Sequence, residues 1–125
     1  MIVIISSPSG AGKTTICEML LKKDRNLRIS ISDTTRIPRD NECNGKDYNF
    51  ISEDCFKERI KNSAYVEYAI VFKNYYGSSH ANVMKLLKDG YDVLFDIDWQ
   101  GAKQLKNSNY SNILSFFIMP PSKNI

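Results

Sequence analysis

The sequence predicts an α/β fold with a largely parallel sheet and flanking helices. Three observations carry that reading. Met1-Ile2-Val3-Ile4-Ile5 is a β-branched apolar run without amphipathic alternation, the pattern of a strand buried on both faces. Val93-Leu94-Phe95 repeats it before Asp96-Ile97-Asp98. Between and beyond these runs, segments of strand and helix character alternate.

The elements follow in order. After the first strand, the breaker-rich Ser6 to Gly12 turns the chain into a helix from about Lys13 to Lys23, with Ile16, Met19 and Leu20 expected on its inner face. Asp24-Arg25-Asn26 stops it, Leu27 to Ile31 reads as a strand, and Ser32 to Gly45 as a polar loop. Tyr48 to Ile51 is a short strand. Ser52 then caps a helix with Glu53 and Asp54 in its first turn and Phe56 and Ile60 inward. Tyr65 to Ala69 is another strand, ending near a turn at Lys73-Asn74. A helix from about Ser79 to Leu87 turns Val83, Leu86 and Leu87 inward, and Gly90 sits where a C-terminal cap glycine belongs. Val93 to Asp98 reads as a buried strand, Gly101 to Leu105 as a short helix, and Ile113 to Ile118 as a last strand before Pro120-Pro121.

At 125 residues the chain has room for one domain and one core. A composition of 42% hydrophobic and 25% charged residues excludes a disordered tail. No apolar stretch approaches the ~20 residues of a spanning helix, so no membrane role is expected, and no signal peptide is read at the start. Cys17, Cys43 and Cys55 form no CxxC pair and cannot build a familiar zinc site with the lone His80. That scatter suits a reducing cytoplasm. A net charge of +3 is too mild to demand nucleic acid, but it suits an anionic small ligand.

Ser7-Pro8-Ser9-Gly10-Ala11-Gly12-Lys13-Thr14 lies between a strand and a helix, where a phosphate-binding loop belongs. Ser7 replaces the first glycine of the GxxxxGK[ST] pattern, but the mechanism survives. Backbone N–H groups of this tight loop, of which Pro8 supplies none, converge on an anion, and the helix dipole adds positive potential. Lys13 would reach the β- and γ-phosphates of ATP, and the Thr14 hydroxyl would ligate Mg²⁺. Asp96, closing an apolar strand, suits the second Mg²⁺ contact.

The chain resembles a guanylate kinase. Beyond the loop, the resemblance rests on Thr34-Thr35-Arg36-Ile37-Pro38-Arg39, Asn44-Gly45-Lys46-Asp47-Tyr48-Asn49-Phe50, Glu67-Tyr68, Asn74-Tyr75-Tyr76-Gly77-Ser78, Asp96-Ile97-Asp98 and Gln100-Gly101. It implies a P-loop NTPase fold with a small GMP-binding subdomain. The core would be residues 1–31 and 79–125 and the GMP-binding region residues 32–78. It implies phosphorylation of GMP to GDP by ATP with Mg²⁺, as part of purine metabolism. Ser32, Arg36, Arg39, Tyr48, Glu67, Tyr76, Gly77, Ser78 and Asp98 match positions that hold GMP, with Lys13, Arg36 and Arg39 as the catalytic cations. Two arginines three apart, with tyrosine hydroxyls, make chemical sense as a phosphate cradle. An ionised Glu67 offers two acceptors to the N1–H and 2-amino donors of guanine, a pairing that adenine cannot make.

The resemblance also implies that the chain stops just before the family's lid, as a C-terminally truncated kinase domain spanning residues 1–125. Rival readings are a noncatalytic guanylate-kinase-like interaction module, a GMP-binding fragment with impaired catalysis, and a small GTPase. The intact Gly12-Lys13-Thr14 and Glu67 disfavour the module, and the absence of an NKxD-type segment disfavours the GTPase.

Overall fold

Ile2, Val3, Ile4 and Ile5 are all buried because their strand lies inside a sheet covered on both faces. A computed structural model describes residues 1–7 and 13–119. The elements run β1 (Ile2–Ser6), α1 (Lys13–Lys23), β2 (Leu27–Ile29), β3 (Asp33–Thr34), β4 (Asn49–Phe50) and α2 (Glu53–Lys61). They continue with β5 (Tyr65–Val71), β6 (Asn74–Ser79), α3 (His80–Lys88), β7 (Asp92–Asp96), α4 (Trp99–Lys106) and β8 (Ile113–Phe117).

The first sheet has four parallel strands in the order β2-β7-β1-β8. The strand period of two sorts its side chains between two cores. Val3, Ile5 and Leu94 point to one face, where Leu27 and the Cys17, Leu20 and Leu21 stripe of α1 cover them. Ile2, Ile4, Val93 and Phe95 point to the other, against Val83 of α3 and Ala102 and Leu105 of α4. Each aliphatic side chain taken fully out of water contributes ~1.5–3 kcal/mol, so both layers are needed to hold β1 at the centre. The expected inner face of α1 is corrected by one residue: Met19 is 52% exposed, and Cys17 lies inward instead.

The second sheet was not expected. It holds four strands in the order β4-β3-β6-β5, with β3 parallel to β4 and antiparallel pairing elsewhere. Residues read as loop (Asp33–Thr34) and as the lead into a helix (Asn74–Ser79) are strands within it. Its hairpin turns on Phe72 and Lys73, both with positive φ (49° and 69°). That is the backbone of a tight hairpin turn, one residue before the Lys73-Asn74 turn expected from the sequence. Ser79 is therefore the N-cap of α3 rather than its first residue, its hydroxyl accepting from the Asn82 N–H.

Asp33 clamps this sheet together. Only 3% exposed, its carboxylate accepts hydrogen bonds from Tyr65 Oη at 2.7 Å, Asn49 Nδ2 at 3.1 Å and the Arg59 guanidinium. One side chain thus joins β3 to β4, β5 and α2. Phe56 of α2 stacks on Tyr65, with ring centroids 4.6 Å apart. Gly77 is glycine because of this packing: a Cβ there would lie 2.9 Å from Phe56 Cζ and 3.0 Å from Tyr65 Cδ1. Val66 of β5 joins the core beneath the parallel sheet. Gln104 of α4 pairs with the Tyr68 backbone, accepting from its N–H at 3.0 Å and donating to its carbonyl.

Candidate functional site

A cleft opens where the two sheets meet, lined by Lys13, Asp96, Ile97 and Asp98 on one side and by Ser32, Tyr48, Glu67, Ala69, Val71 and Tyr76 on the other. Its deep end is built around Glu67. The register of β5 against β6 slips between Tyr65 and Glu67, so Tyr65, Val66 and Glu67 are buried in succession instead of alternating. A bulge of this kind re-aims a side chain, and here it carries a carboxylate inward to 3% exposure. Ser78 Oγ, fully buried, donates to Glu67 Oε1 at 2.7 Å, and Ser32 Oγ lies 3.5 Å from Ser78 Oγ.

Burial raises the Glu67 carboxyl from its ordinary 4.5 to about 7, with the Ser78 hydrogen bond opposing and the Asp98 charge assisting. At neutral pH this carboxyl is therefore poised between its two forms. Asp98 lies outside the strand expected to contain it and caps α4, accepting from the Gly101 N–H at 3.1 Å. The strand itself ends at Asp96. Gly101 is the residue that lets α4 approach: a Cβ there would meet Glu67 Oε2 at 2.5 Å.

Arg36 does not itself line the cleft but stands beside a residue that does, its guanidinium 5.2 Å from the Tyr48 ring centroid, and the Tyr48 and Tyr76 rings meet edge-on at 5.8 Å. Burial pushes the Tyr48 hydroxyl upward in pKa, so it is a neutral donor at physiological pH. Arg36 Nη1 and Nη2 donate to the two carboxylate oxygens of Glu42, each at 2.9 Å. That hydrogen-bonded pairing, with the Arg39 backbone N–H, draws the Glu42 carboxyl down to about 2 and raises Arg36 further. Arg39 is exposed and does not line the cleft. Gly77 does not line it either.

The third wall is Lys13, whose Nζ lies 3.0 Å from Asp96 Oδ1. The contact is an ion pair, and among the described residues the buried Oδ1 accepts no hydrogen bond. Cys17, one helical turn on, is a buried thiol pushed up to about 11 by desolvation and then by Asp96, and is therefore inert as a nucleophile. Thr14 is exposed on the first turn of α1 and does not line the cleft. Pro8, Ser9, Gly10, Ala11 and Gly12 of the expected phosphate loop lie outside the described residues, whereas Ser7 is buried at the end of β1. The cleft thus brings together Lys13, Ser32, Tyr48, Glu67, Tyr76, Asp96 and Asp98. Sequence reasoning missed Glu42, the close approach at Gly101 and the Asp33 clamp. An acidic residue three positions after Arg39 was the available signal for the first.

The family model described as guanylate kinase matches residues 1–125. The chain belongs to the guanylate kinase family. A guanylate kinase from Rickettsia prowazekii (strain Madrid E) is 50% identical over 122 residues, covering 98% of this chain and 61% of that protein. One from Paramagnetospirillum magneticum is 45% identical over 122 residues, covering 98% of this chain and 57% of the relative. The crystal structure of guanylate kinase from Anaplasma phagocytophilum superposes with a TM-score of 0.82 at 37% identity, over 98% of this chain and 61% of that one. The chain thus spans about six-tenths of the length of these relatives. The family's α/β fold accounts for the parallel sheet and its flanking helices. Among the described residues no helix is long and apolar enough to cross a membrane.

Proposed function

We propose that the protein is a guanylate kinase, transferring the γ-phosphoryl group of ATP to GMP to give ADP and GDP. The supporting observation is the buried Glu67 carboxylate at the floor of a cleft that also holds Tyr48, Tyr76 and the Lys13–Asp96 pair, with Arg36 beside Tyr48. Segment 32–78, with its own sheet, is the acceptor-binding region in this reading, and residues 1–31 and 79–125 form the core.

The guanine edge presents two donors, N1–H and the 2-amino group, to the two oxygens of ionised Glu67. Ser78 keeps Oε1 oriented, and Ser32 and Asp98 border the same edge. Adenine offers an acceptor where guanine offers N1–H, which leaves the buried carboxylate unpaired. The acceptor phosphate lies toward Arg36, Tyr48 and Tyr76, with Arg39 reaching it from the exposed loop. Its dianion needs no general base, because one of its oxygens is the nucleophile. Phosphoryl transfer then depends on alignment and charge neutralisation rather than covalent chemistry. Lys13, released from Asp96, supplies positive charge on the donor side, and the segment 7–14 is the ATP-binding loop in this reading.

Mg²⁺ fits the donor set, since among the described residues Asp96 Oδ1 is a buried oxygen that has Lys13 as an ion-pair neighbour and accepts no hydrogen bond. Among the described residues no three His, Cys, Asp or Glu side chains converge on one point. That suits an ion held by one carboxylate, a hydroxyl and substrate oxygens better than one caged by protein. Asp96 and Thr14 would hold it, and it would neutralise charge on the transferring group. The reading is tested by following ADP formation from Mg-ATP with GMP and with AMP as acceptors. GMP-dependent turnover is expected, and turnover indifferent to the base would refute the reading.

A further inference from the structure

The Arg36–Glu42 pair has a geometry that its charges alone do not require. A guanidinium carries five N–H donors in a fixed plane. Nη1 spends both of its hydrogens, on Glu42 Oε1 at 2.9 Å and on the Ile37 carbonyl at 3.2 Å. Nη2 spends one, on Glu42 Oε2 at 2.9 Å. The donors left over are Nε–H and the second Nη2–H, which lie side by side on one edge of the plane. The end of the guanidinium is closed by Glu42, so the side edge is what remains for a ligand and for the Tyr48 and Tyr76 hydroxyls, which also interact with Arg36. Glu42 is itself fixed, because Oε1 also accepts from the Arg39 backbone N–H at 2.9 Å. The Tyr48 and Phe50 rings lie over the guanidinium with centroids at 5.2 and 6.0 Å and limit its rotation.

We propose that Glu42 is a positioning residue for the acceptor phosphate: by closing the end fork of Arg36 it leaves only the side fork to bind a phosphate monoester. The inference rests on the cleft being the GMP site, and it assigns one determinant within it. Glu42 acts through Arg36 and makes no contact with the base. Its effect is therefore confined to ligands that carry the phosphate.

The test compares GMP with guanosine by calorimetric titration on the 125-residue chain, wild type and Glu42→Gln. The glutamine places an amide N–H₂ where a carboxylate oxygen faced the guanidinium, so the clamp is lost at nearly unchanged volume. GMP should bind about tenfold more weakly, as expected when a charge-assisted hydrogen bond is lost, with guanosine affinity within about twofold. In an Arg36→Ala background the same substitution should cost nothing further, because its effect runs through that arginine. Equal GMP affinity in wild type and Glu42→Gln would overturn the proposal. So would tighter GMP binding, which would make Glu42 a competitor of the phosphate. Loss of guanosine binding in step with GMP would overturn it too, since Glu42 would then support the fold. If wild-type protein binds guanosine as tightly as GMP, what fails is the placement of the acceptor phosphate in this cleft, a result separable from the others.

Discussion

Glu67→Gln should stabilise the empty protein at alkaline pH while weakening its hold on guanine. The folded-state carboxyl titrates at about 7 instead of 4.5 because it is buried. The folded state therefore binds this proton more tightly than the unfolded state does. Stability is fully retained below about pH 4.5, declines as pH rises towards 7, and levels off above it. A difference of about 2.5 in pKa corresponds to a penalty of about 3 kcal/mol for holding the ionised group at high pH. Between pH 5.5 and 8.5 the wild type should accordingly lose about 2 kcal/mol relative to the glutamine variant. Urea denaturation at those two pH values measures it. Guanosine titration supplies the other half, free of the phosphate ionisation near pH ~6. Wild-type affinity should fall towards acid pH as Glu67 takes up its proton, and the glutamine variant should bind weakly at every pH. A variant whose stability tracked the wild type at both pH values would refute the claim that Glu67 is the buried carboxyl held against its burial cost.

Gly101→Ala should leave thermal stability close to wild type, because ~1 kcal/mol of helix propensity offsets the displaced neighbour. Guanosine binding should nonetheless fall about tenfold, since the new Cβ would occupy a point 2.5 Å from Glu67 Oε2; unchanged affinity by titration would contradict the close approach. Asp33→Ala removes the acceptor of three hydrogen bonds and should cost about 2–3 kcal/mol in urea unfolding, discounted for the half-exposed Arg59. A loss under half a kilocalorie or so would show that the second sheet does not depend on it. Lys13→Ala should lower turnover at saturating Mg-ATP far more than it weakens GMP binding, because the lysine serves the donor side; normal turnover would place the donor phosphates elsewhere.

Legibility in the sequence followed the strength of local signals. Helix α1 is observed at the bounds read from the sequence, and β1 within a residue of them, because a β-branched run and a Gly-Lys-Thr opening leave few alternatives. The second sheet was lost because the residues after the expected turn near Lys73-Asn74 were not read as a returning strand, and because β3 is only two residues long. Met19 and Cys17 both suit a helical stripe, and which one faces inward depends on packing against Val3, Ile5 and Leu94, which is a tertiary matter. Among the cleft residues, Glu67 was found through its place in a family pattern. The bulge that buries it, and the raised pKa that follows, come from pairing across β5 and β6. Glu42 was passed over because an acidic residue in a polar loop ordinarily reads as solvated surface.

The pairing of Gln104 with Tyr68 has a consequence for association between molecules. β5 is the outermost strand of its sheet, and an outer strand offers bare peptide groups to any extended chain that drifts past. A primary amide has the donor and acceptor of a peptide group on a flexible stem. By satisfying both the N–H and the carbonyl of Tyr68, Gln104 acts as a one-residue strand that cannot be extended. A second copy seeking to zip onto β5 would have to evict it before forming its central rung. A helix side chain thereby gives this protein a blunt edge at the strand that carries Glu67, where recruitment of a stray chain would distort the floor of the cleft.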